Sequence, residues 1–259
     1  MFDLIINKLD ETRMQIETSE AIEKQLNDSF SFYAHNYKYH PKYKARLWDG
    51  MIRLYSFRDS TMLLGLAGSL IRFCKQNGYT YKFNFKKILE FDEDVLQQVL
   101  DSIDKNEIPF LWEHQKVAVD YALKNNRCVI ESATGSGKSA IIYIILMYYI
   151  FRGFENVLVV VTRTGLCEQL KKNFVGFTKE YKEEFEEGIG LLYNESKKRD
   201  GNIIISTWQS LQNMEKSFFE KFDVVILDEC HHASVKSVEI KKVLESCRNA
   251  PFRFGFTAT

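Results

Sequence analysis

The 259-residue sequence has little proline, no net charge, no paired cysteine motif and no apolar run long enough to cross a bilayer. Its 35 Lys and Arg balance 35 Asp and Glu. Global charge therefore gives no sign of a nucleic-acid partner, and any basic surface has to be local. The five cysteines, Cys74, Cys128, Cys167, Cys230 and Cys247, are odd in number, scattered and free of any C-x-x-C spacing. That excludes a disulfide framework and predicts free thiols in a reducing compartment. The longest apolar run, Ala140 to Phe151, falls short of the roughly 20 residues that a membrane helix needs. It predicts a buried helix instead. Asp3, Lys8 and Asp10 interrupt the early apolar residues, so no signal peptide is expected there. The expected protein is soluble and intracellular, with no membrane partner.

The prolines are Pro41, Pro109 and Pro251. Pro109 follows a charged stretch that reads as a surface helix and a break, which places a domain boundary near residues 105–110. The two expected domains are 1–107 and 108–259. In the first, Phe2–Leu9 and Met51–Phe57 read as strands. Ser19–Asn27 and Gly68–Asn77 read as helices, the second stopped by Gly78. A small α+β domain follows. In the second, β-rich runs at 127–131, 156–161, 202–206, 224–227 and 252–256 alternate with helical segments. Several runs are apolar on both faces, as central parallel strands are. The fold class expected there is α/β, a parallel sheet covered on both sides.

The chemistry-bearing motif begins at Arg127. A strand runs into Thr134-Gly135-Ser136-Gly137-Lys138-Ser139, and a long apolar helix follows, as in a P-loop. Gly135 and Gly137 let backbone amides curl around phosphate oxygens, and the helix N-terminus adds a favourable dipole. Lys138 is expected to reach the β- and γ-phosphates of ATP, and Ser139 to ligate Mg²⁺. The usual first glycine of the motif is replaced by Ser132. A second apolar strand ends in Asp228-Glu229. Asp228 suits Mg²⁺ held through water, and Glu229 suits activation of the attacking water. His231 is expected to couple this site to the rest of the molecule.

Asp228 to His231 reads D-E-C-H, and Thr257-Ala258-Thr259 closes the chain. With Gln115 upstream, this part resembles the first RecA-like lobe of superfamily 2 DExH-box helicases. The resemblance implies that Gln115 reads the adenine edge and that Thr257 and Thr259 link hydrolysis to movement. The Leu111-Trp112 context of Gln115 lacks the family's usual basic residue. Arg163 and Thr164, after one strand, and Thr207, after another, match the family's DNA-contacting motifs. Hydroxyls and amides there hold strand phosphates. Helix capping is the competing use for Thr164 and Thr207. The resemblance further implies a second RecA-like lobe carrying an arginine finger, expected outside a chain that stops at Thr259.

Between residues 30 and 58, Lys38, Lys42, Lys44, Arg46 and Arg53 are interleaved with tyrosines and Trp48. Cations hold phosphates and aromatic faces stack on bases, so these residues are candidate DNA contacts. The alternative is an aromatic core with a solvated basic face. The F-S-F start, the aromatic-basic run and W-D-G resemble the amino-terminal domain of UvsW-type phage helicases. That resemblance implies an ATP-dependent helicase acting on branched DNA (forks, Holliday junctions, R-loops), in the host cytoplasm if phage-encoded. The competing readings are the motor subunit of another DNA translocase, such as a restriction enzyme, and a hydrolysis-deficient DNA-binding module.

Overall fold

The computed structural model describes residues 2–85, 89–193, 196–197, 201–233 and 238–258. It divides into two compact units, 1–86 and 87–259.

In the first unit the elements run β1 (Leu4–Lys8), β2 (Arg13–Thr18), α1 (Glu20–Ser29), β3 (Ser31–Tyr33), α2 (Pro41–Lys44), β4 (Met51–Arg53), β5 (Tyr55–Ser56), β6 (Thr61–Leu63), α3 (Ala67–Asn77) and β7 (Tyr81–Phe83). Five strands form one sheet in the order β5-β6-β2-β1-β7. Alternate residues of β1 and β2, Leu4, Ile6, Met14 and Ile16, face the core beside Leu26, Leu70 and Phe73 of the helices. The expected strand over 51–57 is split. β4 pairs with β3 in a separate ribbon, and β5 joins the main sheet. Gly78 ends α3 in the left-handed conformation, at φ +71°.

The second unit contains α4 (Glu93–Asp101), α5 (Glu113–Asn125), β8 (Arg127–Glu131), α6 (Lys138–Phe151), β9 (Val157–Val161), α7 (Thr164–Phe177), α8 (Lys182–Glu187), β10 (Ile189–Tyr193), β11 (Ser196–Lys197), β12 (Ile203–Thr207), α9 (Trp208–Leu211), α10 (Lys216–Glu220), β13 (Val224–Leu227), α11 (Val238–Ser246) and β14 (Phe252–Thr257). The sheet order is β11-β10-β12-β9-β13-β14-β8. All pairings are parallel except β10 with β11. Every residue of β9 and β13 is buried, so both sheet faces are covered. The run from Ala140 forms the buried helix α6, packed against α4, α5 and α7. No helix among the described residues is long and apolar enough to cross a membrane.

The division between units falls earlier than residues 105–110. α4 carries a stripe of Val95, Leu96, Val99 and Leu100 that packs into the core of the second unit. The Asp104 amide donates to the Phe177 carbonyl at 2.8 Å. Asn126 adds a tie, donating to the Leu89 carbonyl at 2.8 Å while accepting from the Tyr149 hydroxyl at 2.9 Å. Pro109 thus marks a turn inside the second unit.

Because six strands run parallel, their C-terminal ends share one edge of the sheet. Ligand sites of open α/β sheets form at that edge. It collects the loops after β8, β9, β12 and β13 and the end of β14.

Candidate active site

The loop after β8 runs from Ser132 to Gly137 and delivers Lys138 at the first turn of α6. Gly135 and Gly137 have φ of +81° and +79°, a conformation that costs other residues about 1–2 kcal/mol. Ser132 is absent from the positive-φ positions, so nothing in its backbone demands glycine. Its side chain is used: the buried hydroxyl bonds that of Ser136 across the loop. Thr134 and Gly135 are exposed, while Ser136, Lys138 and Ser139 are half-buried.

The loop is braced from α5. Gln115 is 5% exposed, and both ends of its amide are engaged. Its oxygen accepts from the Trp112 amide at 3.0 Å, and its nitrogen donates to the Ser136 carbonyl at 3.0 Å. His114 Nε2 meets the same carbonyl at 3.1 Å. His114 has no sequence signature beyond its place beside Gln115. The φ of Gly137 favours glycine, and a Cβ there would sit 2.2 Å from the Gln115 amide nitrogen and push that side chain off the Ser136 carbonyl. We expect Gln115→Ala to destabilise this unit by about 1–3 kcal/mol, because it strips partners from a helix-start amide and a loop carbonyl. An unchanged thermal unfolding midpoint would show that these bonds contribute nothing.

β13 ends at Asp228-Glu229. The Asp228 amide extends the sheet by donating to the Val160 carbonyl at 2.9 Å. Glu229 has φ +54°, a left-handed conformation rare for its type, and begins the turn into Cys230–Ala233. Its carboxylate faces the loop after β8, with Oε1 3.1 Å from Lys138 Nζ. Its other oxygen lies 3.4 Å from His231 Nδ1. That same nitrogen is 3.0 Å from Thr257 Oγ1. The Thr257 carbonyl in turn accepts from the Ser132 amide at 2.8 Å. The end of β14 therefore bridges the two acidic and basic loops. Gly255 fits close by: a Cβ there would lie 3.0 Å from Cys230. Thr259 lies outside the described residues.

Burial pushes the Asp228 carboxyl above its ordinary value, the Lys138 charge opposes this, and the Glu229 charge adds to it. A raised folded-state pKa makes the ionised carboxylate a folding cost. That cost is absent below the ordinary value of 3.8 and grows as pH rises through the folded-state value. Without added divalent cation, Asp228→Asn should match or exceed the parent in thermal stability at neutral pH, and that advantage should vanish in acid. A variant less stable than the parent at neutral pH would contradict this sign.

The other candidates are dispersed. Arg163 precedes α7 and is exposed, and Thr164 opens that helix half-buried. Thr207 is 4% exposed, and its hydroxyl accepts from the Ser210 amide at 3.4 Å, so it caps α9. In the first unit, Lys38, Lys42, Lys44 and Arg46 are exposed and Trp48 is half-buried. Arg53 is clasped by both oxygens of Asp49, which offsets its charge.

The model of the family described as type III restriction enzyme, res subunit, matches residues 85–259. The chain belongs to that family. A model of the amino-terminal region of the DNA helicase UvsW matches residues 3–84 of this res-subunit family member. The chain is 29% identical over 265 residues to the ATP-dependent DNA helicase uvsW of Enterobacteria phage T4, covering 99% of itself and 52% of the relative. It is 28% identical over 178 residues to the DNA 3'-5' translocase XPB2 of Sulfurisphaera tokodaii, covering 69% of itself and 37% of the relative. A crystal structure of the UvsW helicase from bacteriophage T4 superposes with a TM-score of 0.86 at 25% identity, over 99% of this chain and 92% of that one. The chain spans about half the length of the UvsW relative.

Proposed function

We propose that this chain is the DNA-binding front unit and first motor lobe of an ATP-dependent DNA helicase or translocase that remodels branched DNA. The observation that carries the reading is the convergence of Lys138, Asp228, Glu229, His231 and Thr257 on one edge of the parallel sheet, with Lys138 and Glu229 in contact. The UvsW and XPB2 matches support ATP-driven work on DNA, and the preference for branched substrates follows the resemblance of the front unit to UvsW-type helicases.

Mg²⁺-ATP fits the donors present. Two left-handed glycines and the start of a 14-residue helix suit a polyphosphate. A desolvated carboxyl at Asp228 and the hydroxyl of Ser139 suit a hard divalent cation. Bound Mg²⁺-ATP supplies the phosphoanhydride whose hydrolysis drives movement. Lys138 exchanges its Glu229 partner for phosphate oxygen, and Glu229 then orients water and takes its proton. Gln115 reads the adenine edge with the second N–H and second lone pair of its amide, beyond those bound to Ser136 and Trp112. His231, Thr257 and Thr259 carry the change of state towards the DNA-facing loop that holds Arg163 and Thr164. A second RecA-like lobe, beyond these residues, supplies the arginine finger. The five unpaired thiols suit a reducing, intracellular setting.

The test compares the 259-residue chain with a protein carrying both lobes, on forked DNA with ATP and Mg²⁺. Strand displacement is expected from the two-lobed protein alone. Robust DNA-stimulated turnover by the 259-residue chain would sink the half-site reading.

A further inference from the structure

In the first unit, the segment between β3 and β4 leaves the sheet and returns to it. The Ala34 amide donates to the Gly50 carbonyl at 2.8 Å and closes the excursion at its base. Gly50, at φ +83°, lies under the Tyr37 ring, where a Cβ would sit 2.4 Å from a ring carbon. Above it, Tyr37 stacks on Tyr33 with centroids 4.5 Å apart and receives the edge of Tyr43 at 4.9 Å. The His40 ring meets Trp48 edge-on at 5.2 Å, and Trp48 Nε1 donates to the Met51 carbonyl at 2.9 Å. The aromatic side chains are thus fixed by one another and by backbone.

Within this excursion lies an open, shallow cleft of about 630 Å³, lined by Tyr43, Leu47 and Trp48 and by Lys38, Lys44 and Arg46. Asp49 also lines it, but its carboxylate is engaged by Arg53 and by the Met51 amide. The cleft therefore offers three cations, two braced aromatic rings, one leucine and one already neutralised acid. Its size lies within the range that holds a small organic ligand. A convex basic face would suit a duplex backbone by charge alone. A concavity with rings in its walls adds a place for a base, and a base inside a duplex is not available to it.

We propose that this cleft takes one unpaired nucleotide, its base against Tyr43 and Trp48 and its phosphate against Lys38, Lys44 and Arg46. This rests on the DNA-remodelling reading and deepens it, by giving the front unit a means to tell a branch point or a strand end from continuous duplex. Stacking of one base on an aromatic side chain is worth about fivefold to a hundredfold in affinity.

The test uses the 259-residue chain and three fluorescent duplexes of equal length. One is fully paired, one carries a single bulged thymidine, and one carries a bulged abasic residue with the same phosphate count. Fluorescence anisotropy is expected to show the thymidine bulge bound about fivefold to a hundredfold more tightly than the abasic bulge. Trp48→Leu and, separately, Tyr43→Leu should each bring that ratio towards one, with the fold checked by circular dichroism. Lys44→Gln combined with Arg46→Gln should weaken both bulged probes while keeping the ratio. Binding of all three duplexes without preference overturns the cleft proposal and leaves the DNA reading standing. No binding to any of them overturns both. A ratio preserved in both the Trp48 and Tyr43 variants places the base elsewhere and overturns the assignment.

Discussion

Glu229→Gln is expected to lower the ATP turnover of the two-lobed protein by roughly 10²–10⁴-fold, the usual contribution of a positioned general base, while nucleotide binding survives. The geometry accounts for both halves of this result. Glu229 sits at a left-handed turn that aims its carboxylate at Lys138 and His231. The amide of glutamine keeps the shape and one acceptor but is a far weaker base. The Lys138 charge, released from its ion pair, remains free for phosphate. Steady-state turnover measured beside equilibrium binding of a fluorescent ATP analogue separates the two quantities. Turnover within a few-fold of the parent would remove Glu229 from the reaction.

Lys138→Ala is expected to act on both quantities. It deletes the positive charge at the first turn of α6, and turnover should fall on the order of 10²–10³-fold, as when a charge-stabilising donor is removed. Binding of the nucleotide should weaken as well. It also leaves the Glu229 carboxylate beside Asp228, whose own charge is already disfavoured by burial. Adding Glu229→Gln to Lys138→Ala should therefore cost less than the sum of the two changes, because the residues contact each other and act in one step. Strict additivity would indicate that the two side chains work independently.

The edge that gathers the candidate site was readable in sequence because its elements advertise themselves. Val157–Val161 and Val224–Leu227 are apolar at every position, which marks central parallel strands, and candidate site residues follow those strands directly. The glycines at 135 and 137 announce the phosphate loop because few other residues tolerate their φ. Ile189–Tyr193 was missed as a strand: it contains Gly190 and follows a highly charged helix, and only pairing with Ile203–Ser206 reveals it. The domain division was misplaced because Pro109 is a strong local break, whereas the packing of Val95 and Val99 on α6 is a tertiary fact. The Gln115–Ser136 bond, the His114 contact and the capping role of Thr207 likewise depend on which loops come together. The concavity at Tyr43, Trp48 and Arg46 has the same origin, since alternating charges and rings describe a composition and no shape.

The edge joining Lys138 to Glu229, as proposed, is an ATP site whose turnover is tied to DNA. The direct measurement is the ATPase rate of the two-lobed protein without DNA, with duplex DNA and with forked DNA, for the parent and for Lys138→Ala. Stimulation by DNA is expected, stronger with the fork, and lost in the variant. A parent rate indifferent to DNA would contradict the motor, and equal stimulation by duplex and fork would contradict its preference for branches.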